Sequence, residues 1–302
     1  MMRRSAFFNR SSVPLLCLSG LFIGGWSWLL WTRYFNFGYY DWDLAFFSQA
    51  MWNITHGDTH SSLFGINFFA NHANFIAFVL APFYKIFPSP LFLVFLKILS
   101  VAGAGCFIYR YAQEMLGIRV AFFLLLLFFL YVPNVFGILY EFDMEALAPA
   151  VVAGMFFFYV KMSWRGFLLA SVLAILIKEN LPLLLCSFGV HAFFTKRDKL
   201  KWGALPLAAG GLFFVLSISV LVPLFAGKPA FADHPYMVHY QRFGSSMPQV
   251  LVYLFMHPQE LLGIVLSPLN MTWFFETLGM FLYLPFLAAP VIFLASPLML
   301  QH

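Results

Sequence analysis

The sequence predicts an all-α, polytopic integral membrane protein, and the composition and the length of the apolar runs are the observations that predict it. Of the 302 residues, 62% are hydrophobic and 10% are charged, whereas soluble domains carry about 25% charged residues. A chain of this length has room for about eight crossings of about 20 residues each, with their loops. We therefore expect a single membrane domain, residues 1–302, with about eight transmembrane helices.

Apolar runs supply the candidate crossings. The longer runs are 13–32, 90–109, 118–138, 146–160, 166–177, 181–195, 203–226 and 272–300. Two further stretches, 74–87 and 249–266, are shorter and interrupted by polar residues or proline.

The positions of Lys and Arg predict the orientation, because cytoplasmic loops are enriched in these residues. With a cytoplasmic N-terminus, alternating crossings place 11 of the 17 basic residues inside, and most acidic residues outside. This orientation requires that 74–87 does not cross the membrane, so we predict a re-entrant or interfacial helix there. The outer segments are then 33–73, 139–146, 178–180 and 226–248.

Several function classes lack their motifs in this chain. There is no P-loop, dinucleotide-binding glycine pattern, HExxH or GxSxG, which argues against a nucleotide-driven pump, a metalloprotease and a serine hydrolase. The net charge of +5 comes from short basic clusters between apolar runs. Basic residues at such positions are typical of signals that orient a membrane protein. We expect membrane lipids, and no nucleic acid, among its partners.

The first outer loop carries Asp41 and Asp43 on either side of Trp42. An aromatic and apolar stripe then follows at helical spacing, which predicts an amphipathic helix at the membrane interface: Phe46, Phe47, Met51 and Trp52. Asp-x-Asp can chelate a divalent cation such as Mg²⁺ or Mn²⁺ through oxygen ligands, or one carboxylate can accept a proton from an attacking hydroxyl. The alternative is a pair of solvated or capping aspartates.

A second acidic segment carries Glu141, Asp143 and Glu145 within five residues. On a helix, Glu141 and Glu145 share a face at i,i+4 and repel each other when both are ionised. Such repulsion favours a bound cation or a shared proton. Alternatively, the acids cap the N-terminus of the next helix, where its dipole favours negative charge.

Charged residues also interrupt the apolar runs. Lys178 and Glu179 lie between the runs 166–177 and 181–195, where charges are costly unless water or partners reach them, so we predict a bend at the outer interface. Lys178 can hold a phosphate as a point charge or pair with an acid. Lys97, inside another run, presents the same choice, although snorkelling also accounts for it.

Two further polar residues stand in aromatic or apolar surroundings. His72 has apolar neighbours on its C-terminal side and shortly before it, which favours a sheltered cavity over a solvated position. Arg242 lies between Gln241 and Phe243, close to Tyr240. Its guanidinium can clamp an anionic group bidentately or stack on an aromatic ring.

Together these segments resemble a prokaryotic family of predicted membrane proteins that is catalogued as a domain of unknown function and is related to the GT-C glycosyltransferases. The similarity runs from about residue 39 to the end. The positions that agree with the family pattern include Asp43, His72, Glu145, Lys178, Glu179 and Arg242. The pattern has an aspartate, a histidine, a proline and a second acid where this chain has Glu141, Asp143, Met144 and Asn180.

The resemblance implies a GT-C-like architecture in the prokaryotic inner membrane and transfer of a sugar from a polyprenyl-phosphate carrier to an unidentified acceptor on the extracytoplasmic side. Asp43 would be the general base, with Asp41 assisting or helping to bind a divalent cation. Positive charge stabilises a leaving phosphate, a role implied for Lys178 and Arg242. The remaining substrate-site residues would be His72, Glu141, Asp143, Glu145 and Glu179.

Two other classes stay open. A non-enzymatic transporter or lipid-carrier flippase would use the same charges to line a pathway, and an inactive membrane scaffold would use none of them chemically. Related chains continue well beyond this length, and this one ends directly after an apolar run, so we expect a truncated or short form.

Overall fold

The computed structural model of the chain describes residues 12–40, 42–227, 240–245 and 247–279. These residues are mainly helical, with two strands of two residues each. The chain divides into two compact units, Met1–Gly65 with Asn74–Ile177, and Ile66–Ala73 with Lys178–His302. The predicted all-α class is therefore confirmed, whereas the single GT-C-like domain stays a prediction.

The first unit contains eight α-helices among its described residues. They are α1 (Val13–Phe35), α2 (Asp43–Thr55), α3 (Ile76–Ile86), α4 (Pro90–Leu116), α5 (Ile118–Phe129), α6 (Val132–Leu139), α7 (Ala148–Val160) and α8 (Trp164–Ile177). The unit also includes strand β1 (His60–Ser61) and a 3₁₀ turn at Met144–Leu147.

The second unit begins with strand β2 (Ile66–Asn67) and a 3₁₀ turn at Phe68–Ala70. Its next helices are α9 (Pro182–Thr195), α10 (Leu205–Leu216) and α11 (Val222–Ala226), with π-helical turns at Leu200–Ala204 and Ser217–Leu221. The described residues of this unit also form helices at Met247–Met256, Pro258–Val265 and Pro268–Gly279.

Long apolar helices in both units are able to cross a membrane. Within the described residues, three are long and apolar enough, Val13–Phe35, Pro90–Leu116 and Leu200–Ala226. The pair α5 and α6 makes a fourth if the two helices form one bent crossing. These helices support the membrane-protein class, and the number of eight crossings stays a prediction.

The sequence favours one continuous helix over 118–138, but the structure breaks it into α5 and α6, bent by 45°. Pro133 lies in the first turn of α6, where it has no N–H to donate and its ring would clash with the carbonyl of a preceding turn. The break therefore follows from the proline. The Asn134 side chain adds a contact across the break, because it donates to the carbonyl of Phe128 at 2.7 Å.

Helix α3 occupies the stretch that is predicted not to cross. Its 11 residues span about 16 Å at 1.5 Å per residue, which is too short for a hydrocarbon core of about 30 Å. The hydroxyls of Tyr84 in α3 and Ser48 in α2 lie 2.8 Å apart, so the two short helices are joined by a polar contact. The interfacial position of α3 stays a prediction.

The first unit packs around α4, which contacts α1, α5 and α7. At Gly105 a Cβ atom would lie 2.6 Å from Phe129, so glycine permits the close approach of α4 and α5. The Phe129 ring stacks on Phe22 of α1, with centroids 4.0 Å apart. Small residues that let helices approach are typical of packing inside membranes.

Candidate functional site

A cavity of about 910 Å³ lies in the first unit, beside the C-terminal end of α6. Aromatic and apolar side chains form much of its lining, including Tyr40, Phe136 and Tyr140. Its charged lining residues are Arg33, Lys97, Glu141, Asp143 and Glu145. The three acids of the second predicted acidic segment therefore line one cavity together with two cations.

The two cations bind three consecutive backbone carbonyls. Arg33 from α1 donates to the carbonyl of Leu139, and the Nζ of Lys97 from α4 donates to those of Tyr140 at 2.6 Å and Glu141 at 3.2 Å. The last carbonyls of a helix have no partner within it and carry partial negative charge. Cations from two helices thus fix the backbone that follows α6.

Lys97 is 2% exposed, so the snorkelling interpretation is wrong. Two carbonyls lie within reach inside the protein, and their hydrogen bonds compensate the ammonium for lost water. Arg33 is a site residue that the sequence did not single out. Its signal was available, because the predicted orientation puts the C-terminal end of the first crossing outside, where an arginine departs from the positive-inside distribution.

Glu141 is 4% exposed, and its Oε2 accepts the backbone N–H of Leu44 at 2.8 Å. This N–H belongs to the first turn of α2, where the preceding Trp42 gives no side-chain cap. A carboxylate at this position satisfies an otherwise unpaired donor and complements the helix dipole. Glu141 therefore caps α2 from a distant part of the chain.

Glu141 and Glu145 do not share a helical face, because residues 141–143 are not helical and only a 3₁₀ turn follows. The reason is local. Asp143 adopts an extended conformation, and its Oδ1 accepts the backbone N–H of Ala146 at 2.9 Å. The capping alternative thus applies to Asp143, which starts the turn that leads into α7.

Asp43 lies in the first turn of α2, and its Oδ2 accepts a hydrogen bond of 2.8 Å from the hydroxyl of Tyr140. Tyr140 lines the cavity, so one hydrogen bond connects Asp43 to the cavity wall.

Asp41 lies outside the described residues. Within the part of the chain that the structure describes, no group of three or more His, Cys, Asp or Glu could hold a metal ion, and the Asp41/Asp43 cation site stays a prediction.

Tyr39 is close to Asp43 in the sequence, but the environment of its hydroxyl differs from that of the Tyr140 hydroxyl. The Arg33 guanidinium lies over its ring, 4.5 Å from the centroid. Its buried hydroxyl has no hydrogen-bond partner among the described residues. Burial raises the pKa of Tyr39 to about 12, with the charge of Arg33 opposing this shift and that of Glu141 adding to it. Tyr39 is therefore neutral at physiological pH.

The apolar stripe of α2 is mainly a protein contact. Phe46, Phe47 and Met51 are buried, and the Phe47 ring meets that of Phe142 edge to face at 5.7 Å. Trp52 is exposed. The predicted helix is confirmed, but most of the stripe is buried inside the first unit and so does not face lipid, because α3, Phe64 and Phe142 pack against α2.

The second unit joins two of the predicted site residues, His72 and Glu179. Nδ1 of His72 lies 2.7 Å from Oε1 of Glu179, whose Oε2 accepts the N–H of Ala73 at 3.0 Å. Burial by itself would raise the pKa of Glu179, but the hydrogen bond and charge of His72 and the Ala73 N–H hold it below its ordinary value. Glu179 therefore stays ionised.

The predicted interruption at 178–180 is confirmed, since α8 ends at Ile177 and α9 begins at Pro182. Lys178, Glu179 and Arg242 all belong to the second unit. The exposed Arg242 stacks on Phe243, with its guanidinium carbon 4.3 Å from the ring centroid, which is one of the two predicted roles. Much of the outer segment 226–248, including 228–239, lies outside the described residues.

The long apolar helices define an integral membrane protein of the all-α class. Residues 33–301 match the model of a family described as predicted membrane protein, DUF2079. Because this match covers most of the chain, the protein belongs to that family, whose function is unknown. No curated protein and no solved structure matched the chain.

Proposed function

We propose that this protein is a GT-C-like glycosyltransferase that moves a sugar from a polyprenyl-phosphate-type lipid carrier to a hydroxyl acceptor outside the cytoplasm. One observation carries the proposal. Asp43, the residue proposed as the base, is hydrogen-bonded to Tyr140 in the wall of a cavity that also presents carboxylates and cations. The proposed reaction needs a base to activate the acceptor, carboxylates to bind the sugar and cations to stabilise the phosphate.

In the proposed reaction, the acceptor oxygen attacks the anomeric carbon of the sugar while Asp43 takes the hydroxyl proton. The bond between that carbon and the phosphate oxygen breaks, and polyprenyl phosphate leaves with the electron pair. Asp143 and Glu145, which line the cavity, hydrogen-bond to the sugar hydroxyls. Asp41 assists the base.

Positive charge at the leaving phosphate stabilises the transition state. Lys178 and Arg242 are proposed for this role, and Lys97 and Arg33 add two cations that line the cavity itself. Lys97 and Arg33 each have N–H groups beyond those that bind the carbonyls, because an ammonium has three N–H groups and a guanidinium five. His72 and Glu179 are proposed to bind substrate as a hydrogen-bonded pair.

A transfer assay tests the function directly. Purified protein is incubated with radiolabelled polyprenyl-phosphate sugars and membrane extract as the acceptor source. Asp43→Asn is expected to lower kcat about 10²- to 10⁴-fold, the usual contribution of a general base. Asp58→Asn, in an exposed turn of the same loop, is the matched control. Transfer that persists in Asp43→Asn contradicts the base assignment, and no transfer by the unaltered protein contradicts the function.

The divalent cation has its own test within the same assay. If Asp41 and Asp43 bind Mg²⁺ or Mn²⁺, EDTA abolishes transfer and either ion restores it. Full activity in EDTA contradicts a required cation and leaves the general-base role of Asp43 intact.

The proposed orientation places the N-terminus in the cytoplasm and the cavity outside the inner membrane. Single cysteines at Asp58 and Asp198 test it in a background without Cys17, Cys106 and Cys186. A membrane-impermeant maleimide added to intact spheroplasts is expected to label position 58 and to leave position 198 unlabelled until the cells are lysed. The reverse labelling pattern contradicts the orientation.

A further inference from the structure

Tyr140 forms hydrogen bonds through both its backbone carbonyl and its side-chain hydroxyl. Its carbonyl accepts a hydrogen bond from the Nζ of Lys97 at 2.6 Å, and its hydroxyl donates one to Oδ2 of Asp43 at 2.8 Å. The residue also lines the cavity. One tyrosine thus connects a buried cation of α4 with the first turn of α2.

The backbone of Tyr140 is held on both sides as well. Arg33 binds the preceding carbonyl, of Leu139, and Lys97 also binds the following one, of Glu141. A tyrosine side chain has two rotatable bonds, so a fixed backbone leaves few positions for the hydroxyl. The hydroxyl is therefore preorganised, which is how supporting residues hold a reactive group in one geometry.

Core packing does not account for this tyrosine. Its side chain is about half exposed, with a relative exposure of 52%, whereas a packing role would bury the ring. The neighbouring Glu141 already ties the same segment to α2 through the N–H of Leu44 at 2.8 Å. The hydroxyl contact to Asp43 is thus additional to what the fold needs to join the segment to α2.

We infer that Tyr140 is a positioning residue for Asp43, which fixes the carboxylate through Oδ2 so that Oδ1 receives the proton of the acceptor hydroxyl. The inference rests on the proposed function. Lys97 acts one step further away, because it holds the backbone from which the Tyr140 hydroxyl reaches Asp43.

Tyr140→Phe removes one hydroxyl and keeps the ring. Without this donor the carboxylate loses a contact that holds its orientation. Misplacement of a reacting group lowers activity by up to about 10²-fold. The loss is expected in kcat, with KM little changed, because the contact orients the base and does not bind the substrate.

Tyr39→Phe is the matched control. It removes a hydroxyl that is buried but has no hydrogen-bond partner among the described residues, one position before the cavity-lining Tyr40. Because Tyr39 is neutral at physiological pH, this substitution is expected to leave kcat and KM unchanged. Thermal unfolding of both variants in detergent checks that each is folded.

Infrared spectroscopy gives a readout that needs no turnover. In protein labelled with ¹³C-aspartate, the difference between unaltered protein and Asp43→Asn identifies the Asp43 carboxylate band. Tyr140→Phe is expected to shift that band, whereas Tyr39→Phe leaves it in place. An unshifted band shows that the hydroxyl does not bind Asp43 and overturns the inference.

The two proposals fail in different ways. If the unaltered protein transfers sugar but Tyr140→Phe keeps its kcat, the inference is overturned and the glycosyltransferase stands. If the unaltered protein transfers no sugar, the proposed function fails, and the catalytic role of Tyr140 fails with it even when the infrared band shifts.

Discussion

His72, which is half-buried, and the buried Glu179 form a pair across 107 positions of the sequence, with Nδ1 of the histidine 2.7 Å from Oε1 of the glutamate. Glu179 is 5% exposed, and its second oxygen accepts the N–H of Ala73. A carboxylate so far removed from water is stable in its ionised form only while such partners remain. The pair therefore joins the segment before α3 to the break between α8 and α9.

His72→Ala is expected to lower the free energy of unfolding by about 3–5 kcal/mol, because it leaves a buried charge without its main partner. His60→Ala is the control. His60 is exposed, and surface substitutions usually change stability by less than about 0.5 kcal/mol. Denaturant unfolding in detergent measures both, and equal stability of the two variants contradicts the importance of the pair.

The same pair predicts how stability depends on pH. The pKa of folded Glu179 lies below its ordinary value, so the folded state binds the proton more weakly than the unfolded state does. The stabilisation is fully present above the ordinary carboxyl pKa of about 4.3 and is lost as the pH falls through the lower, folded value. Unfolding followed from pH 7 downwards should show a smaller acid-induced loss in Glu179→Gln than in the unaltered protein, and identical slopes contradict this.

Glu141 predicts a local effect on α2. Glu141→Met keeps the length of the side chain but leaves the Leu44 N–H unpaired, which costs about 1–3 kcal/mol. Hydrogen exchange of the Leu44 amide should therefore accelerate, together with that of the first turn of α2. Glu141→Gln retains an acceptor oxygen and is the control. Equal exchange in the two variants contradicts capping by Glu141.

Two adjacent glycines in α10 give a matched test of packing in the second unit. A Cβ atom at Gly210 would collide with the backbone carbonyl of Pro182 at the start of α9, whereas one at Gly211 meets nothing within 4 Å. Gly210→Ala should cost about 1–3 kcal/mol through overpacking, and Gly211→Ala less than about 1 kcal/mol in either direction. Thermal unfolding in detergent measures both, and similar melting temperatures contradict the close contact of α9 with α10.

The predicted elements that depend on local pattern agree with the structure. The aromatic stripe after Asp43 forms α2, the run 74–87 contains a short helix, and the charges at 178–180 separate α8 from α9. The helical face that Glu141 and Glu145 would share does not form, because Asp143 binds the backbone of Ala146 and starts a 3₁₀ turn. A periodicity argument does not include that competing side-chain contact.

The sequence by itself determined the class of protein, since mean hydropathy and the length of apolar runs are sums over neighbouring residues and need no knowledge of the fold. It also singled out the acids, His72 and Lys178 as polar groups that needed partners. Only the tertiary structure decided the partners: Glu179 for His72, and the N–H of Leu44 for Glu141. It also brought Arg33 and Lys97 to the carbonyls at the end of α6. Hydrogen bonds act over about 3 Å, and the distance between groups 97 positions apart is set by how the helices pack.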